Sequence, residues 1–289
     1  MDAHGGDDEI RVEGLDPPVE TPSLRGKVIA RANVHELLDE LSSDLTAHAL
    51  NCVREFGDFH LALSGGQTPM PLYEQLMYDP RYRAIPWRRT HLWMVDERCV
   101  GFEDERSNFG RIKEVIVDHS DIPPEQVHPM VAMAPGAGER YERELRETLG
   151  WRQKGHDRLD FVLLGVGPDG HTASIFPGSP ALEAGDRLAM DVPAPTTCAP
   201  HLPRCTLTLR TINAARFVAP LVIGASKHAV LARAAAGAVP EELPIAGIRP
   251  AAGELRWYLD HAEWVADVTS GGYREWIAKH YSAATTSRG

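Results

Sequence analysis

The chain has 289 residues, enough for one large α/β domain or two small ones, and its 43% apolar content allows a sizeable core. A formal charge of −11 argues against a nucleic-acid binder, which would be expected to show a basic face. No apolar run approaches the roughly 20 residues of a membrane helix, no charged-then-apolar leader stands at the N-terminus, and four cysteines form no CxxC pair, so a cytoplasmic protein without membrane or nucleic-acid partners is expected.

Residues 1–24 are acidic, carry glycine and proline and lack periodicity, which predicts a disordered arm. From Lys27 the pattern changes. Val28 to Ala32 reads as a strand, Val34 to Cys52 as a helix, and Phe59 to Ser64 as a strand ending in Gly65-Gly66. Thr68-Pro69 then looks like an N-cap and first-turn pair opening a helix through Met77. His91 to Val95 is a strand ending in Asp96-Glu97-Arg98, and Ser107-Asn108 caps a helix through about Asp118. Gly138 to Leu149 is another helix, and Asp160 to Leu164 is a buried strand running into Gly165-Val-Gly-Pro-Asp-Gly-His171. Cys205 to Leu209, Phe217 to Gly224 and Glu254 to Leu259 are later strands, with a helix over Ser226 to Ala236.

Strands alternating with helices predict an α/β fold with a mostly parallel sheet covered on both faces. No linker splits residues 25–283, so one domain is expected, followed by a short tail over 284–289. Three strand ends carry Gly-Gly, Asp-Glu-Arg and Gly-Asp-Gly-His, and ligands in open α/β sheets bind outside the carboxyl ends of strands. One shared site is therefore expected.

Each motif has a plainer reading beside the functional one. Ser64-Gly-Gly-Gln-Thr68 can bring backbone N–H groups to an anion at a helix start, or be an ordinary tight turn. It is neither a Walker A loop nor a nucleophile elbow, since no Gly-Lys-Ser/Thr follows and position 62 is alanine. Gly165 to Gly170 matches GxGxxG, with Asp191 about where a ribose-binding acid would lie. An aspartate inside the loop opposes a diphosphate, however, and the motif comes after several βα units. No dinucleotide is expected. In Asp169-Gly-His171 the carboxylate can orient the imidazole and stabilise its protonated form, although most loop histidines are simply solvated. Cys198, His201 and Cys205 are zinc-ligand types, but prolines interrupt them and no second cluster is near, so a proline-rich surface loop is expected and no metal. An acidic protein that binds a phosphate must gather cations locally. Arg98, Arg204 and Lys227 are the candidates, each alone being as readily a surface ion pair.

Together these pieces resemble the 6-phosphogluconolactonase family, related to the glucosamine-6-phosphate deaminases. The residues that carry the likeness are Leu63-Ser-Gly-Gly-Gln-Thr-Pro69, Asp96-Glu-Arg98 with Ser107-Asn108, and Gly165 through Gly178. They continue with Pro203-Arg-Cys-Thr-Leu-Thr208, Gly224-Ala-Ser-Lys227 and Leu243 through Trp257, in the family's order. The resemblance implies a modified doubly wound fold without metal or dinucleotide, acting on a phosphorylated sugar lactone. It implies His171 as general base and Asp169 as its partner. It also implies Ser64, Gly65, Gly66, Arg98, Arg204 and Lys227 as substrate and phosphate ligands, and Asp96 in the sugar pocket. Two other readings stay open: a sugar-phosphate deaminase or isomerase, and a non-catalytic sugar-phosphate sensor. Oligomeric state is not legible.

Overall fold

The computed structural model describes residues 22–31 and 33–260. Most of the expected acidic arm, residues 1–21, lies outside the described residues, as does everything from 261, including the expected 284–289 tail.

Five-residue strands at Lys27–Arg31 (β1), Phe59–Leu63 (β2) and Thr90–Met94 (β3) are joined by helices at Val34–Phe56 (α1) and Met70–Tyr78 (α2). A short strand at Asp96–Arg98 (β4) leads to a helix at Asn108–Val115 (α3) and a two-residue strand at Val127–His128 (β5). Then come Ala137–Leu149 (α4), Phe161–Gly165 (β6), Ala189–Val192 (β7), Arg204–Leu207 (β8) and Leu209–Ala214 (α5). The described chain closes with Phe217–Val222 (β9), His228–Ala235 (α6) and Glu254–Asp260 (β10).

Seven strands form one parallel sheet in the order β1-β10-β9-β6-β2-β3-β5. β2 and β9 are buried at every position. Successive strand side chains point to opposite faces, so full burial means both faces of the sheet are covered. Helix α1 contributes Leu37, Leu38, Leu41 and Leu45 at helical spacing, all buried, and packs on β1, β10 and β2. Its start is capped by the Asn33 side chain, which accepts from the Glu36 N–H.

The expected α/β class and parallel sheet are present, with two corrections. Asp96-Glu97-Arg98 is not the terminus of the preceding strand, and 204–207 does not join the main sheet. They pair antiparallel in a separate three-stranded sheet, β4-β8-β7. The chain changes sheets at Val95, whose N–H donates to Leu63 of the main sheet and whose carbonyl accepts from Leu207 of the small one. A second correction concerns Thr68: α2 starts at Met70, with Pro69 in the cap position and no side-chain cap.

Candidate active site

The C-terminal ends of β2 and β6 meet the small sheet around a cleft of about 390 Å³. Ser64, Gly65 and Gly66 leave β2 into it, Gly165 reaches it at the end of β6, and Gly167 and His171 enter from the loop that follows. Asp96 and Arg98 come from β4, Arg204 from β8, and Lys227 from the turn before α6. Five separate stretches of sequence thus contribute to its lining.

His171 is fixed by its neighbour in the loop. Its Nδ1 lies 2.5 Å from Asp169 Oδ1, and its backbone N–H donates to the same oxygen at 3.1 Å. Burial raises the Asp169 carboxyl, but His171 and the Thr197 hydroxyl outweigh it and hold it well below the usual carboxylate range. An ionised carboxylate only accepts, so Nδ1 carries the proton and Nε2 keeps its lone pair. The turn is tight. A Cβ on Gly167 would stand 2.1 Å from His171 Nδ1, so only glycine leaves room for the ring. The imidazole also meets Phe176, with ring centroids 4.5 Å apart.

The cations are held in different ways. Arg204 is buried, with its guanidinium 5.3 Å from the Phe176 centroid and 3.9 Å from Asp96. Burial lowers its pKa, Asp96 opposes that, and Arg98 adds to it. Arg98 is the direct cross-strand partner of Arg204 in the β4–β8 ladder, an arrangement of like charges that is unfavourable without an anion. Both arginines have a buried Nε without a hydrogen-bond partner. Lys227 has no ion-pair partner within 4.0 Å among the described residues, and burial lowers its pKa while Asp169 opposes the effect.

Asp96 accepts from Ser174 Oγ at 2.6 Å and from Asn108 Nδ2 at 3.2 Å. Ser64 lines the cleft, but its hydroxyl donates to the Leu163 carbonyl and accepts from the Gly165 N–H, stitching β2 to β6. It offers shape rather than a free nucleophile. Gly65 is pressed against Asn108, whose Oδ1 lies 2.0 Å from where a Cβ would be.

Eight of the nine residues picked out in the sequence line the cleft, and the ninth, Asp169, holds the imidazole. Sequence reading missed Thr197, which binds Asp169 from a loop taken as plain surface. It also gave no role to Glu97. That carboxylate is fully buried and accepts from Arg98 N, Asn108 N, Phe109 N and Ser107 Oγ, tying β4 to the start of α3. Asp-Glu-Arg before Ser-Asn was the available signal, since a carboxylate at a helix start is a known stabilising pair.

The dinucleotide reading fails on local structure, because no helix opens after Gly170. Thr172 to Ile175 makes a tight turn instead, and Asp191 accepts from the Gly138 N–H. Cys198, His201 and Cys205 do not converge: Cys198 lines the cleft, Cys205 is buried in β8, and His201 Nδ1 meets the Pro195 carbonyl. The described residues gather three potential metal ligands only at Asp58, His60 and His91, by the opposite strand ends. There Trp93 donates its indole N–H to His60 Nδ1, which leaves the proton of a neutral ring on Nε2. A metal needs that nitrogen's lone pair, so His60 does not fit as a ligand.

Residues 32–257 match the family model of glucosamine-6-phosphate isomerases/6-phosphogluconolactonase. The chain belongs to this family. A 6-phosphogluconolactonase of Synechocystis is 39% identical over 233 residues, which span 79% of this chain and 92% of the relative. The human GDH/6PGL endoplasmic bifunctional protein is also 39% identical over 235 residues, but the chain spans only 28% of that relative's length. Among solved structures, a 6-phosphogluconolactonase of Thermotoga maritima has a TM-score of 0.69 at 30% identity, covering 81% of this chain and 99% of that one. A monomeric glucosamine-6-phosphate deaminase at 21% identity and TM-score 0.67 shares the fold.

Proposed function

We propose that this chain hydrolyses 6-phosphoglucono-δ-lactone to 6-phosphogluconate, in the oxidative pentose phosphate pathway, with His171 as general base. The observation that carries this reading is the cleft itself. It brings an imidazole oriented by a carboxylate and three cations into one cleft of an otherwise acidic protein.

His171 Nε2 takes a proton from water as the water oxygen attacks the lactone carbonyl carbon. The imidazolium formed is stabilised by Asp169, which stays ionised. The tetrahedral intermediate collapses with cleavage of the ring carbon–oxygen bond. The proton on Nε2 then passes to the departing ring oxygen, giving a hydroxyl and a carboxylic acid, which releases its remaining proton to solvent to become the carboxylate. Arg98, Arg204 and Lys227 hold the phosphate together with the Gly65–Gly66 backbone, and Asp96 accepts from a sugar hydroxyl. Anchoring the phosphate positions the ring, so binding energy remote from the reacting carbon supports the chemical step. No metal or dinucleotide takes part in these steps.

We further infer a single catalytic domain over 25–283 and a cytoplasmic reaction without nucleic-acid partners. Among the described residues no helix is long and apolar enough to cross a membrane. The test is product formation from freshly generated lactone, corrected for spontaneous opening. Enzyme-dependent 6-phosphogluconate is expected, with no ammonia from glucosamine 6-phosphate. Ammonia release would turn the reading to a deaminase, and tight binding without turnover to a sensor.

A further inference from the structure

We propose that Thr197 is a positioning residue for the base: its hydroxyl fixes the Asp169 carboxylate, which in turn fixes the His171 imidazole. Its kinetic test rests on the lactonase reading above; its spectroscopic test does not.

The two oxygens of Asp169 have different duties. Oδ1 receives both the ring and the backbone N–H of His171. Oδ2 receives the Thr197 hydroxyl at 2.6 Å, its only hydrogen bond among the described residues. The final torsion of an aspartate is soft, so donors on one oxygen alone leave the carboxylate plane free to pivot. A second donor on the far oxygen removes that freedom. The imidazole, bonded to the carboxylate through Nδ1, inherits the gain at Nε2.

Thr197 reaches Asp169 from the segment between β7 and β8, which also lines the cleft with Cys198 and Ala199. The same segment is anchored at Pro200, whose carbonyl accepts from Arg204 Nη2 at 3.0 Å, and at Pro203, whose carbonyl accepts from the Cys99 N–H. One stretch of chain is thus tied to the base at Thr197 and to a phosphate-binding cation at Pro200. Thr197 itself is exposed, so its replacement leaves the core untouched.

The hydroxyl also draws charge from the carboxylate. Without it, more negative charge remains to stabilise the His171 imidazolium, and the base titrates at higher pH. The other ionisable groups near the pair are the Lys227 ammonium and Cys198 thiol, on both of which Asp169 acts. Arg204 stands beyond Phe176, whose ring touches both it and His171. Substitution at Thr197 removes none of them.

The experiment compares Thr197→Val and Thr197→Ser with wild type in the full chain. It measures kcat and KM against pH, and the titration and Nδ1–H signal of His171 by nuclear magnetic resonance. Thr197→Val is expected to lower kcat roughly tenfold, the scale of one lost hydrogen bond to a charged group, with KM nearly unchanged. The acid limb of the pH profile and the His171 titration both move to higher pH, and Thr197→Ser restores both. Wild-type kcat and titration in the valine variant would overturn the proposal. So would a serine variant as impaired as valine, or a loss confined to KM, since each assigns Thr197 to loop packing or substrate contact. If wild type turns over no lactone, the function reading fails by itself. The His171 titration then decides the role of Thr197: moved by valine and restored by serine, the role stands; unmoved, it falls.

Discussion

The three cations of the cleft are not equivalent, and their surroundings order what each substitution does. Arg204 is buried against Phe176 and near Asp96, so removing it disturbs packing as well as charge. Lys227 has only the substrate as an expected ion partner, which makes it the cleaner probe. Lys227→Ala is expected to lose about 10–150-fold in kcat/KM, the worth of one charge-assisted contact. On a lactone without phosphate it loses little beyond the already poor wild-type rate. Equal impairment on both lactones would remove Lys227 from phosphate binding. Because burial lowers its pKa, its charge is lost below the pH at which an exposed lysine titrates. Lys227→Arg should therefore carry the alkaline limb of kcat/KM upward. Beside His171, Gly167→Ala puts a methyl where the imidazole stands. The expected outcome is a folded protein, by circular dichroism, that has lost turnover; full activity would show that the ring is not held where the geometry has it.

At the scale of elements, what the sequence revealed and what it hid have separate physical causes. β2, β6 and β9 were legible because strands buried on both faces read as continuous apolar runs. The Ser107 cap was legible too, and its hydroxyl accepts from the Gly110 N–H. β5 and β7 were not, being two and four residues long, too short for a period to emerge. The small antiparallel sheet was hidden for a different reason. Its strands come from residues 96, 189 and 204 onward, and pairing over such separations leaves no local mark. The cleft was anticipated because parallel strands place their C-terminal ends on one side, but Arg98 facing Arg204 across a ladder was not. Glu97 joins the two layers of this region. Its loss leaves the Asn108 and Phe109 N–H groups buried without acceptors. Glu97→Ala is expected to cost on the order of 3 kcal/mol in urea unfolding. A loss below a few tenths would mean that α3 is held by packing alone.

For the whole molecule, the candidate site and a buried ion-pair network lie at opposite ends of the sheet. Away from the cleft, Arg152 binds both Asp58 and the fully buried Asp160, which also accepts from Arg216 and the His60 N–H. Burial raises the Asp58 carboxyl, but His60 and Arg152 more than offset it and bring it down to about 2. Its folded pKa lies below the unfolded one, so the stabilisation is present above about pH 4 and fades as pH falls through about 2. Asp58→Asn should cost about 1–2 kcal/mol near neutral pH, allowing for its partial exposure, and almost nothing at the acid end of that window. A pH-independent difference would assign the effect to packing. At the cleft end, an acidic molecule confines three cations to one place and sets an oriented imidazole beside them. The most direct test of that account is the rate of 6-phosphogluconate formation from fresh lactone by wild type and by folded His171→Ala, each corrected for spontaneous opening. The expected result is measurable turnover by wild type and a loss of about 10²-fold or more in the variant. A variant as active as wild type would contradict the role of His171, and with it the chemistry assigned to the cleft.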